Sequence, residues 1–243
     1  MMIPKYENMT KVTTTAAAVL LSVATALVMQ GLGETGRIFA AVGTVVLVLL
    51  PLAAEKLFGC RISLPVYLFA LLYAMGPMAG NCWYLYYTTA WWDKLLHCAG
   101  GMFFALVGAV CFDLLIRGKQ KGVTRMLFAL CFSVTVAAVW EFVEFGMDTF
   151  LGMDMQNDTV ITGFSSYLLG PAAGTTGSIE NIRSVVIDGR ALPVAGYLDI
   201  GIIDTMTDML LGFAGALAVS FLLWLDAGKH PLYIPVGGQS SGK

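Results

Sequence analysis

Charge is the scarce commodity in this 243-residue chain. Its 14 Lys and Arg and 16 Asp and Glu make up 12% of the residues, roughly half the share of an ordinary soluble domain. That shortage excludes a soluble enzyme and a disordered tail. A net charge of −2 provides no basic field for a polyanion, so no nucleic-acid partner is expected. Cysteine is no framework either: there are five, an odd number, with no CxxC pair. Cys60, Cys82, Cys98, Cys111 and Cys131 read as small apolar residues. Walker, Rossmann and GxSxG fingerprints are missing, and no internal repeat is visible.

Apolar residues fill the space that charge leaves. They are 58% of the chain, and the mean hydropathy is +0.77. A surplus of this size is what lipid demands, because in hydrocarbon the outside of a protein must be apolar as well. A membrane helix needs about 20 such residues, and six stretches qualify: 13–30, 37–57, 64–87, 93–117, 124–150 and 201–224. The expected fold is an all-α polytopic bundle of about six transmembrane helices, forming a single integral membrane domain over residues 1–243. Lys5 and Lys11 precede the first run as in a signal peptide, but no small-x-small site ends it, so a retained helix is expected.

Ten Lys and Arg fall in the N-terminal tail, the second and fourth loops and the C-terminal tail. Only Arg37, Lys94, Arg183 and Arg190 fall on the other side. The positive-inside rule then puts both termini in the cytoplasm, and the aromatic run from Trp83 to Trp92 marks the outer interface. One loop is long, residues 151–200, and lies on the outer side as a loop or lid. Its second half reads as a hairpin, because Asp188-Gly189 between short apolar runs favours a type I′ turn. Its uncharged first half, Ile161–Ser178, would lie on or dip into the membrane.

Ionisable side chains within membrane helices are functional hypotheses by default. Asp93, Lys94 and His97 open the fourth helix. Glu141, Glu144 and Asp148 form an i, i+3, i+7 stripe on the fifth, and Asp204 and Asp208 share a face of the sixth. At 1.5 Å per residue His97 sits about 8 Å inside the Trp91–Trp92 belt, and all three sets fall in the outer third of the membrane. Dry and unpaired, the four deep carboxylates would cost on the order of 10 kcal/mol, comparable to the whole stability of a domain. They must be hydrated, protonated, paired or bound to a cation.

Three readings stay open. In the first, Glu141, Glu144, Asp204, Asp208 and His97 hold a divalent ion; oxygen excess suits magnesium, manganese or calcium, and His97 with two or three carboxylates suits zinc. In the second they form a hydrogen-bonded polar seam, and in the third a proton or cation pathway. Glycines and alanines at 100, 101, 105, 108, 212, 215 and 216 mark close-packed helix seams. Gly76-Pro77 with Asn81 is expected to kink the third helix. Asp113 and Arg117, at i, i+4, are expected to pair.

The combination Asp93-Lys94-x-x-His97, Trp140-Glu141-Phe142-x-Glu144, Gly152-x-Asp154-x-Gln156 and Asp204-Thr205-Met206-x-Asp208 resembles the YjdF-like bacterial inner-membrane proteins over roughly residues 85–225. The resemblance implies a multi-pass protein of the bacterial plasma membrane and brings no activity with it. More distantly the pattern is similar to VanZ-type proteins, which share the Asp-Lys-x-x-His start and an acidic late helix. It departs from them at Asp208, where an Asn is expected, and in Gly212, which falls four positions on rather than three. Three functions follow from the residues. One is a binding protein for a divalent cation and a lipid head group. Another is a metal-dependent hydrolase or transferase on lipid-linked substrates, with His97 and Glu141 catalytic and Asp93, Lys94 and Asp148 binding substrate. The last is a proton- or cation-coupled transporter. Membrane lipids are the partners implied; the oligomeric state is not.

Overall fold

The computed structural model describes residues 5–116, 122–226 and 229–235. In chain order the elements are α1 (Lys5–Gly31), α2 (Thr35–Leu57), β1 (Cys60–Ile62), α3 (Leu64–Cys82), α4 (Leu85–Thr88), α5 (Trp92–Leu115) and α6 (Val123–Leu151). Six short strands follow: β2 (Val160–Ile161), β3 (Phe164–Ser166), β4 (Gly177–Ile179), β5 (Val186–Ile187), β6 (Arg190–Ala191) and β7 (Tyr197–Leu198). Then come α7 (Ile202–Asp226) and β8 (Tyr233–Pro235).

Among the described residues five helices, α1, α2, α5, α6 and α7, are long and apolar enough to cross a membrane. The expected third span, 64–87, is not among them and is not one helix. It ends at Cys82, the chain turns through Tyr84 at φ +63°, and α4 follows. Pro65, Pro77, Tyr67, Tyr73 and Asn81 dilute its hydropathy. Eight residues of α3 are buried, and a helix wrapped by its neighbours does not need a lipid-compatible face.

The chain forms two compact units, one of Met1–Ala137 with Leu211–Lys243 and one of Ala138–Leu210. In the first, α1, α2 and α3 enclose two apolar clusters. Ala18, Val48, Tyr67 and Leu71 form one; Met29, Ala41, Met78 and Cys82 form the other. Side chains turned away from them, such as Leu20, Leu27, Phe39 and Leu72, are exposed and apolar. The glycine seams are real. A Cβ on Gly101 would lie 1.9 Å from the Gly212 carbonyl oxygen, and one on Gly215 would lie 2.2 Å from that of Cys98. Ser133 donates to the Gly101 carbonyl at 2.9 Å. Only backbone-to-backbone contact fits there, as in close-packed membrane helices.

Segments that the charge count assigned to one side meet in this unit. Lys11 of α1 donates to Glu55 of α2 and to the Ile62 carbonyl, both at 2.5 Å, and is 2% exposed. Strand β8 pairs antiparallel with β1, Cys60 opposite Pro235 and Ile62 opposite Tyr233. Asp113 at the end of α5 takes a two-pronged bond from Arg125 of α6, at 2.9 and 2.8 Å; Arg117, its expected partner, lies outside the described residues, as do Lys119, Lys121 and Lys243. Burial raises the Tyr233 phenol, and so does the charge of Asp113, so β8 lies near this pair too. At the other end of the three-helix group, the Arg37 guanidinium lies 3.8 Å from the Tyr84 ring centre and Trp83 donates to Thr25 at 3.3 Å. Asn81 donates back to the Pro77 carbonyl at 3.2 Å, and the Trp92 indole donates to that of Gly76 at 3.3 Å.

The second unit holds the end of α6, strands β2 to β7 and the start of α7. Strand β2 pairs with β7 and β3 with β4, all antiparallel. The expected hairpin is present: Val186 faces Ala191 and Ile187 faces Arg190. Asp188 and Gly189 have φ of +49° and +79°, the two left-handed residues of a type I′ turn.

Candidate functional site

The acidic residues cluster in the second unit. Residues 138–210 carry ten Asp and Glu against Arg183 and Arg190, a net of −8, in a chain whose total is −2. Four of these acids are buried: Glu141 and Glu144 on α6 are each 5% exposed, Asp204 on α7 is 7% and Asp208 is 1%. Their helix neighbours Phe142, Phe145, Met206 and Leu210 are exposed and apolar. This reverses the pattern of a soluble amphipathic helix. The i, i+3 and i, i+4 spacings fix it, since residues so placed share one helical face. The Trp140 indole donates to Glu144 at 2.8 Å.

One short segment ties the end of α6 to the start of α7. Gly152, at φ +63°, ends α6 with the left-handed turn that glycine accepts most readily. The chain then folds back so that Asp148 accepts the backbone amides of Met155 and Gln156, at 2.6 and 2.8 Å. From there the Gln156 amide nitrogen donates to Thr205 at 2.5 Å, and the Asn157 backbone amide donates to Asp204 at 3.1 Å. Gln156 is pressed against Gly201, where a Cβ would lie 2.7 Å from the Gln156 carbonyl oxygen. Asp199 accepts from Thr159 at 2.7 Å and from the Ile203 amide at 2.7 Å; a carboxylate before α7 satisfies one of its free N–H groups. Beside this segment, burial raises the Asp154 carboxyl above its ordinary value of 3.8, reinforced by Asp158, Asp148 and Asp204.

The fourth-helix motif belongs to the first unit. Lys94 lies 3.3 Å from Asp93, and His97 Nε2 lies 3.6 Å from the other Asp93 oxygen. The three sit together on the first turns of α5, half-buried. Behind them the His97 carbonyl faces Gly212, where a Cβ would lie 3.6 Å away.

Several residues in this architecture were not singled out by charge in a membrane helix. Asn157 is the clearest; Gln156 and Thr205 surfaced only through the family pattern. Asp148, expected to bind a substrate, engages two loop amides here. The available signal was the cluster of polar residues right after the α6 glycine, Gly152-Met153-Asp154-Met155-Gln156-Asn157, which has the composition of a turn that bonds to its own backbone.

Apolar side chains face outward along five long helices and acidic ones are buried: these features define a membrane protein, so lipid is its surroundings. A family model described as "Predicted membrane protein (DUF2238)" matches residues 13–228, and the chain belongs to that family. The YjdF-like resemblance is consistent with this family, while the match carries nothing for the VanZ-type pattern. No curated protein and no solved structure matches the chain.

Proposed function

We propose that this is a polytopic membrane protein that binds a divalent cation through Glu141, Glu144, Asp204 and Asp208, and through that ion an anionic lipid head group. The observation that carries the reading is the burial of four carboxylates in a unit of net charge −8. A divalent ion offsets this repulsion where two arginines do not. Oxygen donors on rigid helices suit magnesium, manganese or calcium. The clamp from Asp148 through Gln156 and Asn157 supports the reading, because it holds the Asp204 turn to the end of α6. His97 joins the set on the sequence argument of equal depth, as a ligand for zinc or as an acid–base group. Asp93 and Lys94 would orient the head group.

The same proposal gives the chain six crossings, with α3 as the sixth, both termini in the cytoplasm of a bacterial cell, and residues 151–200 as an outer lid. The 19 residues of α3 span about 28 Å, close to the hydrocarbon thickness. Leu168, at the apolar tip of the loop and 95% exposed, would rest on lipid.

The test is metal analysis of the full-length protein in detergent, after dialysis against each ion in turn, compared with Asp204→Asn/Glu144→Gln. Near-stoichiometric retention that the double variant loses supports the site. Equal retention by parent and variant, or none at millimolar ion, refutes it. Cation-driven proton flux in vesicles without stoichiometric retention would favour the transporter instead.

A further inference from the structure

A second place in the molecule has the chemistry of a binding site and shares no residue with the first. A cavity of about 480 Å³ opens between α1, α2 and the β1 turn, within the range of small-ligand sites. Asn8, Lys11, Glu55, Lys56 and Arg61 supply its polar wall, and Val12 and Leu52 its apolar one. Three cations against one acid give the wall a net positive charge. Lys11 is committed to Glu55 and the Ile62 carbonyl, and the Ile62 amide donates to the same Glu55 oxygen at 2.8 Å. The surplus charge therefore sits on Lys56, which is exposed, and on Arg61, which is half-buried. Asn8 Oδ1 accepts from Arg61 Nη1 at 2.6 Å. Gly59, at φ +56°, makes the turn between Lys56 and Arg61, and all three line the cavity.

The surroundings of the cavity select the ligand. Val12 lines the cavity and is 58% exposed, and Leu57 and Phe58, between Lys56 and Gly59 in the chain, are 79% and 59% exposed. A planar guanidinium and an ammonium recognise phosphate oxygens, and an apolar rim recognises acyl chains. We infer that this cavity binds the phosphate head group of an anionic phospholipid, with the chains lying along Leu57 and Phe58. A free phosphate compound would use the cations and gain nothing from the rim. Buried Cys60 completes the wall, and burial pushes its thiol up, so it stays neutral and does not oppose an anion.

The experiment uses the full-length protein in a non-ionic detergent and measures binding of dioctanoyl phosphatidylglycerol, dioctanoyl phosphatidylcholine and glycerol 3-phosphate by quenching of intrinsic tryptophan fluorescence and by thermal shift. Phosphatidylglycerol should bind at least about tenfold more tightly than either of the others. With about 1 kcal/mol for each basic residue near an anionic lipid, Lys56→Gln should weaken it about fivefold and Lys56→Gln/Arg61→Gln about 30-fold. Lys56→Gln removes an exposed side chain and guards against misfolding; the unliganded melting temperature of each variant reports its fold. Glycerol 3-phosphate binding as tightly as the lipid would overturn the lipid assignment. Equal binding of the two lipids, or unchanged affinity in a Lys56→Gln variant that melts normally, would overturn the site.

Discussion

Asp148 offers the sharpest test of how the acidic unit is held together. Its two oxygens accept the Met155 and Gln156 amides at 2.6 and 2.8 Å. Hydrogen bonds to a charged acceptor contribute about 1.5–3 kcal/mol each, and partial exposure of Asp148 favours the lower end. Asp148→Asn keeps one acceptor but turns an NH2 group toward the second amide. One bond is lost and a donor faces a donor, so the local cost is about 2 kcal/mol. Amide hydrogen exchange read by mass spectrometry on peptides covering 152–160 is the assay. A local cost of that size makes exchange about 30-fold faster there, while α1 to α3 stay protected. The effect should reach Asn157, since its amide on Asp204 depends on the same fold-back. Exchange unchanged within about threefold at these peptides, or acceleration spread evenly over the whole chain, would refute the role given to this carboxylate.

Other perturbations probe different parts of the argument. Gly101→Ala drives a methyl into the Gly212 carbonyl, where neither backbone can yield, and should destabilise by about 2–3 kcal/mol. Gly43→Ala, on open helix surface, should be neutral or stabilise by up to about 1 kcal/mol; denaturation in mixed micelles compares the two, and equal effects would contradict the seam. Lys11→Met leaves Glu55 without its cation and should cost about 3 kcal/mol, with Lys11→Met/Glu55→Gln recovering part of it in the same assay. The raised Asp154 carboxyl makes the folded state bind more protons than the unfolded one just above pH 3.8. Its contribution is fully present below that pH and is lost as pH rises through the folded value. Asp154→Asn should therefore raise the melting temperature at neutral pH and change nothing near pH 3; a lowered melting temperature at pH 7 would contradict the crowding of acids there.

The parts of the fold legible in the sequence are those set by local rules. Long apolar runs gave the helices, Asp188-Gly189 gave the hairpin, and small residues at 101, 108, 212 and 215 gave the seams. The acid stripes were legible because charge in a membrane helix stands out against its neighbours. Their burial then followed from spacing. Partnerships between distant segments were not legible. Lys11 read as an ordinary cation ahead of a membrane helix, since nothing near it in the chain names Glu55 or Ile62. The break after Cys82 was hidden by the apolar and aromatic residues on both sides, which hydropathy joins into one span. Tyr84 in a left-handed conformation has no warning from its residue type. Asp148 was counted with the functional acids by charge alone, whereas backbone amides from the following segment engage it.

The ribbon of β1 with β8 has a consequence for biosynthesis. Strand β8 leaves the ribosome after every helix described above, so the edge of Cys60–Ile62 that it pairs with must wait unmatched until Tyr233–Pro235 has been made. An unmatched edge invites pairing with a foreign strand. A chain stalled before Tyr233 would carry its first three helices already inserted and a sticky edge beside them, a form suited to recognition by membrane quality-control proteases.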